Sequence, residues 1–252
     1  MTSETAVDAP SPTAEAEPPS QGDRKGDPGR NPDSPVRIDV AMPRALFDRL
    51  TDHDRAPRCR YDMATGMAEY VAEPGIGHDG RAAMVGRFLN WIEFVLEDSG
   101  QNPEFFLTRA SRLLSDEGAF EPDESLYTDP ARARAALRVE NYLDTRKGHP
   151  VPDLVVEIDR SVESSHKLGP YFRMGVREAW TWSPRDGARI WTSDPGHPEG
   201  FEASAQSRVL PGMDRDDLEG LLADPFDPEA APRARCLARR VAQAILSGRD
   251  RG

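Results

Sequence analysis

The sequence predicts a mixed α/β domain, a central mixed sheet with helices on its faces. Three observations point there. "LVVEI" (154–158) is a nearly continuous apolar run, as in a strand buried on both faces. "EAWTWS" and "ARIWTS" are alternating segments separated by the turn signal "PRDG". "GRAAMVGRFLNWIEFVLEDSG" places Met84, Phe88, Ile92 and Val95 at spacings of four and three, which is one face of a helix.

The elements follow in order. Residues 1–36 are rich in Pro, Ser, Glu, Asp and Gly with almost no large apolar residue, so a disordered tail is expected there. Order is expected to begin near Val40, with a short helix in "PRALFDRLTDH". Gly66 separates two strand-like arms in "RCRYDMATGMAEYV", which reads as a hairpin. The long helix stops at Gly100. "EFFLT", "ASRLLS" and "GAFEPDESLYT" are strand candidates, and a short helix is expected through "ARARAALRVENYL". After the apolar strand, "HKLGPYFRMG" fits a helix on condition that Pro170 lies in its first turn. The Trp180 and Trp182 side chains share one sheet face, because Thr181 alternates between them. A short helix follows "VLPGM". The domain is therefore assigned to 37–226, and 227–252 to a C-terminal basic amphipathic helix. In that helix Leu237, Val241 and Ile245 recur every four residues, so it packs on the domain or on a second subunit, or serves as a phosphate-contacting arm.

Composition excludes several classes. A net charge of -12 over 252 residues argues against a protein that coats polyanions, since phosphate contacts need local Lys and Arg. It leaves room for an enzyme that meets nucleic acid at one site. Two cysteines, Cys59 and Cys236, are too few for a disulfide framework, and no Cys/His spacing suits zinc. The N-terminus lacks a signal-peptide core and no apolar run is long enough to cross a membrane, so a soluble cytoplasmic protein is expected. No nucleophile elbow, phosphate-binding loop or dinucleotide fingerprint is present.

The chemistry-bearing pattern is carboxylate-rich. Hydrolysis of a phosphodiester with Mg²⁺ needs one or two carboxylates on the ion and a cation near the developing charge. Asp123 sits in "FEPDESLY"; Glu157 ends the apolar strand; Asp159, two residues on, points to the same face. Two acids on one face of a sheet are costly unless a cation or hydrogen bonds compensate. Lys167, ten residues past Glu157, can return over the strand end from a helix start. On spacing alone two readings stand, a metal site and a solvated strand end. Asp153 opens its strand and is expected to cap or support it, and His166 is expected to face solvent.

Larger blocks carry a resemblance. Pro122-Asp123 before one strand, Pro152-Asp153 opening another that ends in Glu157, Lys167 and Tyr171 four apart, Gly175-Val176, Glu178 with Trp180, and Leu210-Pro211-Gly212 together resemble the Uma-type restriction endonuclease family. That family is widespread in bacteria and lies within the PD-(D/E)xK nuclease group. The likeness runs from about Cys59 to Leu222. It implies a restriction-endonuclease-like fold and a Mg²⁺- or Mn²⁺-dependent endonuclease acting on DNA. It also implies catalytic roles for Asp123, Glu157 and Lys167, with Asp123, Glu157 and Asp159 as metal ligands. The lysine of the motif would stand at position 159, where this chain has Asp; Lys167 resembles a lysine displaced to the following helix. Glu69 in the hairpin and His78 before the long helix resemble the family's opening and border the expected site. The Ser-Pro-Ser-Thr loop usual after the strand is replaced by "DRSVESS". A homodimer is one expected assembly. The alternative is a nuclease-fold protein that binds or regulates without catalysis; a hydrolase of smaller phosphate esters is a third reading.

Overall fold

The computed structural model describes residues 36–51, 59–63, 66–72, 76–100, 106–109, 112–139, 142–159, 165–198 and 200–249. The expected disordered tail lies outside these residues, apart from Val36. Asp33–Gly252 forms one compact unit.

Among the described residues two six-stranded sheets are formed. The first runs β1(Val36–Ala41), β3(Met67–Ala72), β2(Cys59–Asp62), β6(Gly118–Phe120), β5(Leu113–Ser115) and β8(Leu143–Asp144). Strand β1 pairs antiparallel along β3 from Val36 to Ala41, so order begins earlier than Val40. The alternation in "VRIDVA" is a strand pattern that the polar tail beside it obscures. The β2–β3 hairpin turns at Gly66, whose φ of +67° favours a residue without a side chain.

The second sheet holds the candidate site. Its order is β12(Phe201–Ser204), β11(Gly187–Ser193), β10(Glu178–Ser183), β9(Leu154–Ile158), β7(Glu124–Tyr127) and β4(Phe106–Arg109). Strands β9 and β10 are parallel and their neighbours antiparallel, so the sheet is mixed as expected. The crossover between β9 and β10 carries helix α4(Ser165–Met174). All five residues of β9 are buried. Each buried Leu, Val or Ile side chain there contributes about 1.5–3 kcal/mol.

Alternation divides β9 between two cores. Leu154, Val156 and Ile158 join Trp180 and Trp182 in a cluster with α2(Ile76–Asp98), α5(Arg215–Leu222) and α6(Ala230–Arg249). Val155 joins Ala179, Tyr127, Leu168 and Tyr171 on the opposite face, with α3(Pro130–Ala136) and α4. Met84, Phe88 and Ile92 bury the predicted face of α2, which gives way to a turn before Gly100. Arg81 locks α2 to the end of α5: its guanidinium donates to the Leu222 and Ala223 carbonyls and lies 4.0 Å over the Trp182 ring.

Two local expectations are corrected. Helix α3 ends at Ala136, because Leu143 is drawn into β8 beside Leu113. Pro170 lies inside α4 and not in its first turn, since the helix already includes Ser165. The C-terminal helix packs on its own domain: Ala230, Ala234, Ala238, Val241 and Ala242 are buried in the first cluster. Three of its arginines meet the same chain. Arg240 pairs with Asp217, Arg233 with Asp227, and Arg235 stacks 5.1 Å over Trp91. No helix among the described residues is long and apolar enough to cross a membrane.

Candidate active site

Glu157 stands on the α4 face of β9, 2% exposed. The β7–β9 register pairs Glu124 with Val156. Asp123 lies in the bend just before β7, beside the backbone around Glu157. Two hydrogen bonds fix it there: the Asp123 amide donates to the Val156 carbonyl at 2.9 Å, and the Ile158 amide donates to Asp123 Oδ2 at 2.7 Å. The Pro122-Asp123 pair thus ties the entry of β7 to the backbone on either side of Glu157.

Helix α4 supplies the rest. Lys167 and Tyr171 lie four apart, hence on one helix face. The Lys167 ammonium donates to Glu157 Oε2 at 2.5 Å, and the Tyr171 hydroxyl donates to Glu157 Oε1 at 2.5 Å. Burial is the largest influence on Lys167 and pulls its pKa down. Glu157, Asp159 and Asp123 together outweigh it, so the pKa stays above the ordinary lysine value. Lys167 is a stable ammonium, a donor of hydrogen bonds and not a base.

Lys167 and Glu157 therefore meet directly, and Asp123 and Asp159 lie near enough for their charges to act on Lys167. Asp159 is half-buried just past β9, its amide donating to the Trp182 carbonyl at 2.8 Å. His166 is exposed. The backbones of Glu69 and His78 belong to β3 and α2, and their side chains fall outside the described residues. Asp153 supports structure: Oδ2 accepts from the Thr128 and Asp129 amides, and Oδ1 pairs with Arg132 at 2.8 Å.

Two contributors escaped the reading by residue type. Tyr171 was part of a motif without a role; its spacing from Lys167 was the signal. Glu178, 0% exposed, accepts from Trp180 Nε1, Ser207 Oγ and the Arg208 and Val209 amides. It anchors the segment leading to Leu210-Pro211-Gly212 onto β10.

The donor set suits a hard cation. The acids nearby are carboxylates, which match Mg²⁺ or Mn²⁺ better than a thiophilic metal. Among the described residues no group of three or more His, Cys, Asp or Glu forms a metal cage. An ion here would be held by Asp123 and Glu157 with water completing its shell, the usual arrangement for Mg²⁺.

Comparison with known proteins gives three findings. A family model, Uma2, described as "Putative restriction endonuclease", matches residues 45–215. Among the curated proteins nothing matches. A solved structure from Anabaena variabilis, titled a "putative nuclease belonging to DUF820", is similar at 15% identity with a TM-score of 0.47. The match covers 70% of this chain and 98% of that one.

Proposed function

The chain belongs to the Uma2 family, and we propose that it is a Mg²⁺- or Mn²⁺-dependent endonuclease that hydrolyses phosphodiester bonds in DNA. The observation that carries this reading is the meeting of Lys167 with Glu157 beside the backbone to which Asp123 is tied. Asp123 and Glu157 hold the ion, with water completing its shell, and Asp159 acts through its charge on Lys167. The ion, when bound, lowers the pKa of a water and offsets charge on the phosphate. Lys167 donates a hydrogen bond to the attacking water and keeps positive charge beside the phosphoryl oxygens.

One observation favours the second reading, a nuclease-fold protein that binds without cutting. Both oxygens of Glu157 already accept hydrogen bonds from the chain itself, so the site is satisfied without an ion. A direct assay separates the two. Wild type and Glu157→Gln are incubated with supercoiled and single-stranded DNA, with Mg²⁺, Mn²⁺ or chelator. The nuclease reading expects metal-dependent cleavage by wild type and its loss in the variant. Absence of both cleavage and metal binding in wild type defeats that reading.

A further inference from the structure

We infer that Tyr171 is a positioning residue, whose phenol sets the orientation of the Glu157 carboxylate toward a bound cation. This rests on the proposed role of Glu157 as a metal ligand.

The inference comes from how completely the phenol is fixed. Tyr171 is 0% exposed. Its ring packs 5.6 Å from that of Phe120 and lies in one cluster with Val155, Leu168, Val176 and Phe201. The ring cannot swing away without opening that core. Its hydroxyl reaches Glu157 Oε1 at 2.5 Å, within the range of a charge-assisted bond between a hydroxyl and an ionised carboxylate.

Lys167 holds the other oxygen. The terminal torsion of a glutamate is soft, so one donor leaves the carboxylate free to turn. Two donors on opposite oxygens fix its plane. Both come from α4, four residues apart, so the helix sets that plane as a unit. The two are not equivalent. Lys167 is a charged, flexible chain that can turn to a phosphate or water, whereas Tyr171 is neutral and held by its ring. When Lys167 turns to substrate, Tyr171 alone keeps Glu157 in place. Partners that orient a metal ligand in this way typically matter by about 10- to 100-fold in affinity or activity.

Tyr127 provides a matched control. It is equally buried in the same cluster, and its hydroxyl donates to the Pro150 carbonyl at 3.1 Å, not to Glu157. The test compares full-length wild type, Tyr171→Phe, Tyr127→Phe, Glu157→Gln and the Tyr171→Phe/Glu157→Gln double variant. Mn²⁺ affinity is measured by electron paramagnetic resonance, DNA cleavage by kcat and KM, and folding by thermal melting. Tyr171→Phe should melt cooperatively and lose about 10- to 100-fold in Mn²⁺ affinity or in kcat, with KM for DNA little changed. Tyr127→Phe should match wild type in both. The double variant should be no worse than Glu157→Gln alone, because the tyrosine acts through that carboxylate. Equal behaviour of Tyr171→Phe and wild type, or equal losses in both Phe variants, overturns the inference and leaves the nuclease reading standing. A wild type that neither binds Mn²⁺ nor cleaves overturns both together.

Discussion

Replacing Lys167 by methionine tests the electrostatics of the site apart from any activity. The side chain keeps most of its length and loses its charge. Glu157 is then left with the Tyr171 hydroxyl as its remaining donor in this group, and Asp123 and Asp159 lose the cation they share. The Glu157 and Lys167 side chains are only 3% and 19% exposed, so solvent cannot substitute for the missing ammonium. Removing one partner of such a pair costs about 3–5 kcal/mol. For a domain of this size each kcal/mol shifts the melting temperature by about 2–4 °C, so the variant should melt about 6–20 °C below wild type. A divalent cation should restore part of the loss, by about 2.7 kcal/mol at one hundred times its Kd. Wild type should gain less, since Lys167 already supplies positive charge there. The pH dependence has a definite sign. A lysine whose pKa is raised by folding gives its full stabilisation below the ordinary value of 10.5 and loses it as pH rises through the folded value. Calorimetry across pH, with and without Mg²⁺, measures all of these. A loss under about 1 kcal/mol, as for an exposed pair, with no added response to Mg²⁺, would refute the reasoning.

Glu178→Gln should cost about 2–4 kcal/mol in urea unfolding, because an amide nitrogen must face donors that now meet a carboxylate; a change under 0.5 kcal/mol would show the anchor unimportant. Asp144 is held below the usual carboxylate range, chiefly by its hydrogen bond from Arg146. Its contribution is therefore present above the unfolded pKa and lost as pH falls through the folded one, and Asp144→Asn should flatten the acid limb of a stability profile. DNA binding should depend only weakly on salt, because the α6 arginines Arg233 and Arg240 already pair with acids of this chain. Contact with about two phosphates gives a log–log slope near about −1.8, hence roughly a twelve-fold loss from 50 to 200 mM salt; a thousand-fold loss would reveal an extended basic surface.

The legible parts of the fold were those fixed by local periodicity. Strand β9 declared itself by its apolar run, the β10–β11 hairpin by alternating tryptophans around a turn, and α2 by its spacing of apolar residues. The first sheet was legible only in its β2–β3 hairpin and as separate short strand candidates, and its assembly was not, because its other strands are short and lean on partners far along the chain. Strand β2 pairs with β6 across more than fifty residues, and β8 has only two residues in its ladder. Propensity says little over two or three positions, so α3 was drawn too long where β8 begins. Asp123, Glu157 and Lys167 could be named from type and spacing. Their meeting could not, since it depends on the β7–β9 register and on how α4 lies over the sheet.

The place of Lys167 follows from that geometry. In a strand the residue two past Glu157 shares its face, which is where a lysine completes an ExK motif. Here the position holds Asp159, so the strand offers a second negative charge and no cation. The face is not open, however, because the chain between two parallel strands must cross over the sheet. Helix α4 is that crossover, and it packs on the face shared by Val155 and Glu157. Any residue on its inner surface near the strand end stands above Glu157, and Lys167 occupies that place while Tyr171 follows one turn later. The acid at 159 and the lysine at 167 are thus two halves of one arrangement. With the cation on the helix, a single rigid element holds both oxygens of Glu157.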